Sequence, residues 1–191
     1  MADKRKGLQL TDPRALRAYA HPIRLELMGL LRREGPMTAT RAGERIGESA
    51  ASCSFHLRQL AKYGLVEEAG GGKGRERPWR ATAISTEWAA GGSDPERAEA
   101  GAMLSRVIVE HYFEQVIEWL DRRAGEDDDW VEKAVVADHV VYLTAEELEE
   151  VGKKARVLLD PYLERNEDAG ARPAGARPVT YIQLGFPLDE E

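Results

Sequence analysis

The chain has 191 residues, of which 42% are hydrophobic, and a net charge of −7. That length suffices for one medium domain or two small ones. No apolar run is long enough to span a membrane, and the basic start, residues 1–10, lacks the apolar centre of a signal peptide. The single cysteine, Cys53, excludes an internal disulfide. These features predict a protein of the reducing cytoplasm.

The charge is divided unevenly along the chain. Residues 1–82 hold 16 Lys and Arg against 9 Asp and Glu, a balance of +7, whereas residues 83–191 hold 11 against 25, a balance of −14. A basic segment is attracted to phosphates and an acidic one is repelled. The first half is therefore the candidate for binding nucleic acid.

A flexible basic arm is expected at residues 1–10, followed by four helices. Capping residues and prolines predict that the helices begin near Pro13, Pro22, Thr38 and Ser49. Glycines end the last three of them; these are Gly35, Gly47 and Gly64.

Two short extended segments follow the fourth helix. One begins over residues 65–68, the other covers residues 77–83, and the glycine-rich residues 70–74 between them must turn. Pro78 favours an edge position for the second segment. Helices followed by a glycine-tipped hairpin predict a winged helix-turn-helix domain over residues 11–85.

One long helix is predicted over residues 94–125, after a linker of small residues. Its apolar side chains are too many for one small winged domain to cover, which predicts that two copies pair through it. The predicted dimerisation residues are Leu16, Leu104, Val107, Ile108, Val116, Ile117 and Leu120.

A small β-α-β extension is expected at residues 130–191. Residues 134–143 are rich in valine and predict a strand, and residues 178–186 predict another. Thr144 begins the helix between them with a capping box, and Pro161 should kink or end it. The fold class as a whole is mainly α with small β, an α+β fold.

The fourth helix has two different faces when residues 50–63 are placed at 100° per residue. Cys53 lies on the apolar face and is expected as a small buried residue. On the opposite face Arg58 suits guanine, Gln59 suits adenine and Phe55 suits a thymine methyl group, unless Phe55 packs beneath a neighbouring helix. The predicted DNA-binding residues of this helix are Ser49, Ala51, Ser52, Ser54, Phe55, His56, Arg58, Gln59 and Lys62, with His56 at the flank in a helix-packing or phosphate-contact role.

The hairpin tip is a second candidate for contact with DNA. It carries Lys73, Arg75 and Arg77 among glycines. A basic hairpin of this kind follows the DNA backbone or enters a minor groove. The alternative is a solvated, charged turn.

Residues 16–25 (LRAYAHPIRL) and 54–66 (SFHLRQLAKYGLV) resemble the corresponding motifs of the ArsR-type winged-helix regulators. The resemblance covers residues 11–82. It implies a homodimeric DNA-binding protein, usually a repressor that an effector releases, with the helix around Ser54 in the major groove. The third helix, residues 39–46, lacks the cysteines with which metal sensors of the family bind their metal, so thiolate sensing is not expected.

The second half also concentrates aromatic residues. Trp88, Trp119, Trp130 and Tyr142 are candidates for lining an apolar effector pocket, although ordinary core and dimer packing explains them equally well. His111, Glu114 and Glu118 can share a helix face, where an exposed polar stripe is expected rather than a metal site. No cofactor loop or catalytic set stands out, so neither a cofactor nor an enzyme is expected.

The sequence therefore predicts a sequence-specific transcriptional regulator that binds double-stranded DNA as a homodimer. A small-molecule effector or a protein partner is expected at the extension. The alternatives are a winged-helix module for protein–protein interaction and a small-molecule binding protein without DNA binding.

Overall fold

The computed structural model describes residues 7–72, 74, 76–89 and 91–188, and it confirms the mainly helical α+β class. The helices are α1 (Pro13–Tyr19), α2 (Pro22–Glu34), α3 (Ala39–Ile46), α4 (Ala50–Lys62), α5 (Pro95–Arg122), α6 (Asp128–Lys133) and α7 (Ala145–Glu167). The strands are β1 (Leu8–Leu10), β2 (Val66–Glu68), β3 (Trp79–Ala81) and β4 (Thr86–Trp88).

The predicted helix starts are confirmed, and side-chain caps explain three of them. The Asp12 carboxylate accepts a hydrogen bond from the Arg14 amide at 2.8 Å. Thr38 caps α3 and Ser49 caps α4 through their hydroxyl oxygens. Each cap satisfies a backbone amide that has no partner inside the helix, which fixes the residue where the helix begins.

The core lies among the first four helices and the start of α5. Leu16, Leu27, Leu57 and Leu60 are completely buried there. Each such leucine stabilises the fold by about 1.5–3 kcal/mol through its removal from water. The burial of Leu57 and Leu60 holds α4 against the domain by its apolar face and leaves the other face outside.

The predicted hairpin is confirmed as an antiparallel pair in which Val66 lies opposite Ala81 and Glu68 opposite Trp79. Met37, just before α3, adds a bridge to Trp79 through two backbone hydrogen bonds of 2.8 and 3.0 Å. The hairpin is therefore tied to the start of α3. Of the predicted tip residues, Lys73 and Arg75 lie outside the described residues.

The predicted flexible arm is wrong for residues 8–10. These residues form β1, which pairs in parallel with β4, Leu8 opposite Thr86 and Leu10 opposite Trp88. Leu10 is 5% exposed, and the burial of its side chain stabilises the strand. A strand of three residues is too short for its alternation of apolar and polar residues to be recognised in the sequence. Residues 1–6 of the arm lie outside the described residues.

The long helix α5 packs along α1. Arg17 of α1 donates to the carboxylate of Glu96 at 2.8 Å and to that of Glu99 at 3.3 Å. Leu16 and Leu104 are fully buried at this contact, so they cannot also meet a second chain. Their assignment to a dimer interface is wrong, because the apolar stripe of α5 first covers its own domain.

The two strands predicted in the extension are wrong. No described residue after Trp88 belongs to a strand, and residues 134–143 and 178–188 form neither a helix nor a strand. Their valines and aromatic residues favour extended backbone, but a strand also needs a neighbour. The exposed apolar side chains of these segments include Val135, Val136, Val140, Val141, Tyr142, Val179, Tyr181, Phe186 and Leu188.

The helix of the extension is confirmed, with its predicted capping box at Thr144 and Glu147. It continues through Pro161 and ends at Glu167, so of the two expected effects of the proline, a kink or an end, the end is wrong. After the helix, Arg172 donates to the backbone carbonyl of Arg165 at 2.6 Å, which satisfies an oxygen that the helix end leaves free.

An ion pair ties the end of the extension to its beginning. The guanidinium of Arg177 donates to both carboxylate oxygens of Glu126, at 2.8 and 2.9 Å, and lies 5.0 Å from the ring centroid of Trp130. Hydrogen bonding to Arg177 lowers the pKa of Glu126 to about 2. The pair joins residues 51 positions apart.

Candidate nucleic-acid interface

Helices α3 and α4 form a tight helix-turn-helix. The turn begins at Gly47, whose positive φ of 73° favours glycine, and the amide of Glu48 donates to the carbonyl of Gly43 at 3.0 Å. A Cβ at Gly43 would lie 2.4 Å from the carbonyl oxygen of Glu48. The two helices therefore approach as closely as they do because residue 43 has no side chain.

The predicted outer face of α4 is exposed to solvent. Phe55 is 51% exposed, so it does not pack beneath a neighbouring helix within the chain. Arg58 is also exposed and donates to the Ser54 hydroxyl oxygen at 2.9 Å, which holds its guanidinium along the helix. The remaining predicted residues on this side are exposed or half-buried; they are Ser49, Ala51, Ser52, Gln59 and Lys62.

His56 belongs to the inner side of α4 instead. It is 8% exposed, and its ring centroid lies 4.5 Å from that of His21, the N-cap residue of α2. These surroundings support the helix-packing role for His56. A contact with a phosphate would require the side chain to leave its position beside His21.

The two basic side chains of the hairpin that the structure describes, Arg77 and Arg80, are paired with acidic ones. Arg77, which precedes β3, donates to Glu68 of β2 at 3.1 Å, and Arg80 of β3 donates to Glu67 at 2.8 Å. Both ion pairs are partly exposed to solvent, which weakens them, so the arginines can exchange carboxylates for phosphates.

An open groove separates the start of α3 from the hairpin. Its lining includes the outer-face residues Ser54 and Arg58 and the hairpin residue Arg77. The start of α3 contributes Thr38, Thr40 and Arg41 to the same groove. Sequence reasoning missed this contribution. The signal that could have found it is the polar pair Thr40 and Arg41 in the first turn of α3, the helix that precedes α4.

The sulfur of Cys53 is unsuited to sensing at the surface. The residue is completely buried, and burial raises the pKa of its thiol, so the reactive thiolate is disfavoured. Among the described residues no cluster of three or more His, Cys, Asp and Glu side chains is arranged to hold a metal ion. His111 instead accepts a hydrogen bond from the Gln115 amide at 2.8 Å.

The four candidate pocket aromatics have separate surroundings. The Trp88 indole donates to the Ser105 hydroxyl at 2.9 Å, and Trp130 lies under Arg177. Tyr142 is fully exposed, so its assignment to a pocket lining within one chain is wrong. The half-buried Trp119 lies on α5, and no ring contact among the described residues joins it to the other three.

Ser54 and Arg58 of α4, the start of α3 and the hairpin residue Arg77 line one open groove of the first domain. A helix-turn-helix domain family matches residues 19–69. The match spans α2, α3, α4 and β2, which carry both the close approach at Gly43 and the outer face of α4. No curated protein matches the chain. Among the described residues, no helix is both long and apolar enough to cross a membrane.

Proposed function

We propose that the protein is a sequence-specific DNA-binding transcriptional regulator of the ArsR type. The observation that carries the proposal is the outer face of α4, where Phe55, Arg58 and their neighbours are exposed while the inner face is buried. A helix with one solvated face of polar and aromatic residues suits the major groove. The groove between α3 and the hairpin offers a place for the adjacent phosphate strand.

The regulator acts as a homodimer through α5 in this proposal. Met103, Phe113 and Ile117 are about half exposed on one side of that helix, and Arg106 and Glu110 lie between them without ion-pair partners among the described residues. Antiparallel pairing about the level of Ile108 would place Arg106 opposite the Glu110 of a second copy. The same pairing would bring together Met103 and Phe113, which are equally distant from that level. The face is thus self-complementary in charge as well as in apolar contact.

Repression and release by an effector are proposed from the family resemblance, and two observations bear on the type of effector. The only cysteine in the chain is buried in the reading helix, which argues against a thiolate metal sensor. The acidic extension with its exposed apolar segments supports an organic effector or a protein partner there. An effector or partner that binds one conformation of the dimer more tightly than another would change the distance between its two α4 helices.

The test is a binding selection from random duplex DNA with the full chain, followed by affinity measurement over a salt series. A specific DNA-binding protein enriches one motif, and the affinity of that duplex falls steeply with salt because phosphate contacts release counterions. The rival function is a protein–protein module, which the exposed apolar side chains of the extension favour. If no motif is enriched, and the affinity for duplex DNA is weak and does not change with salt, that rival is supported.

A further inference from the structure

The contact between α2 and the reading helix contains two histidines without hydrogen-bond partners at Nδ1. The rings of His21 and His56 lie 4.5 Å apart, centroid to centroid, and are tilted by 44°. Both Nδ1 atoms are buried and lack a partner among the described residues. The edge-on ring of Phe55 lies 5.2 Å from that of His56, so the contact adjoins the outer face of α4.

The surroundings of the two rings disfavour a proton on either one. Arg24 of α2 is the nearby cation, and its Nε atom is also buried without a partner. Glu48, in the turn between α3 and α4, is the nearby anion. The buried thiol of Cys53 on α4 adds no charge, since burial raises its pKa. An imidazolium here would meet one carboxylate, the Arg24 guanidinium and the second ring.

The direction of the pH effect follows from these neighbours. Burial, and then the positive charge of Arg24, lowers the pKa of His21 below its ordinary value of 6.5. Burial, and then His21 and Arg24, lowers the pKa of His56. The neutral rings therefore stabilise the packed state above pH 6.5, and that contribution is lost as the pH falls from 6.5 through the lowered values.

We propose that the His21–His56 contact makes DNA binding sensitive to pH. At neutral pH the uncharged rings hold α4 against α2, and proton uptake by either ring separates the two helices at this contact and displaces the reading face. The two histidines are positioning residues, because they act through Phe55 and the rest of α4 rather than by touching DNA. The proposal rests on the proposed function, since it takes α4 as the reading helix.

The experiment measures the affinity of the full chain for a duplex selected at about pH 8, from about pH 8 to about pH 5.5 at constant ionic strength. Affinity should fall as the pH drops below 6.5 through the lowered pKa values of the two rings, by up to about tenfold per pH unit for each proton taken up. His56→Phe and His21→Asn should each flatten this profile. The double control His111→Gln/His139→Gln removes the other two histidines and should leave the profile as it is.

Histidine titration by NMR on the unmodified protein gives a second measurement that does not depend on the folding of a variant. The ring signals of His21 and His56 should titrate below 6.5, together with shifts in α4. Titration at or above 6.5, or an unchanged affinity profile in the folded variants, would overturn the proposal. Failure to bind any duplex at pH 8 would instead defeat the proposed function, whereas pH-independent binding defeats this proposal alone.

Discussion

Gly43 lies where α3 passes closest to the turn that leads into α4. A methyl group at this position meets the backbone oxygen of Glu48, which cannot move without moving the turn. We expect Gly43→Ala to lower the free energy of unfolding in urea by about 1–3 kcal/mol, the usual cost of overpacking. Gly29→Ala is the matched control, because its Cβ would meet only the flexible end of Arg33, at 3.4 Å. Equal stabilities of the two variants would show that the turn yields easily.

Among the outer-face residues of α4, Arg58 has the most specific expected role, which is contact with a guanine. Its guanidinium is exposed and reaches Ser54 along the helix, so bidentate contact with a guanine requires only a change of rotamer. Arg58→Ala should cost about 1–3 kcal/mol on the selected duplex and relax the preference at one base pair. Arg45→Ala, which removes an exposed arginine paired with Glu34, should leave the selected motif unchanged. The same motif from both variants would remove Arg58 from the reading set.

In the hairpin, acidic side chains compete with DNA phosphates for the arginines that the proposed function assigns to DNA contact. Glu67 and Glu68 accept hydrogen bonds from Arg80 and Arg77, so in the proposed complex DNA phosphates would displace two carboxylates. Glu67→Gln/Glu68→Gln should therefore raise affinity for non-specific duplex and steepen the dependence of log affinity on log salt by about one to two contacts.

The control for the hairpin experiment is Glu118→Gln, which removes an exposed carboxylate from α5. It should leave the salt slope unchanged. If the double hairpin variant behaves like this control, then Arg77 and Arg80 do not reach DNA.

Local signals account for the elements that could be predicted from the sequence. Helix caps such as Asp12, Thr38 and Ser49 act over three residues, so pattern reading finds them. The pairing of β1 with β4 joins residues 78 positions apart, which no local pattern contains. The valine-rich segment at 134–143 has the composition of a strand, but composition does not supply the neighbouring strand.

In the candidate site, too, local patterns predict some features, whereas others depend on contacts between residues far apart in the sequence. The outer face of α4 follows from helix periodicity, and exposure of Phe55 and Arg58 agrees with it. The angle of His56 on the helix alone left two roles open, and only the position of His21 decides between them. The contribution of Arg41 to the groove likewise depends on where the start of α3 lies relative to the hairpin.

The proposed pairing of two copies through α5 predicts that the strength of the dimer depends on the charges at Arg106 and Glu110. Arg106→Glu would place carboxylate against carboxylate twice across a two-fold axis, and we expect the dimer dissociation constant to rise at least about tenfold. Arg106→Glu/Glu110→Arg restores opposite charges and should restore the dimer. Light scattering over a dilution series measures both.

Arg122→Glu is the control for the charge exchange, because it alters an exposed arginine of α5 outside the self-complementary set. Its dimer should match that of the unmodified chain. A monomeric mass for the unmodified chain at micromolar concentration, or a double variant as weak as the single one, would contradict antiparallel pairing about Ile108.

The parallel pairing of β1 with β4 has a consequence for synthesis of the chain on the ribosome. Leu8 and Leu10 are made early, but the strand that receives them is made 78 residues later. At about 5–20 residues per second, that interval lasts roughly 4–16 s. During it the helix-turn-helix can assemble while two leucines remain outside and the edge of the domain stays open. Synthesis of residues 86–88 allows β1 to pair, and the core is completed later still, once Leu104 of α5 has been made.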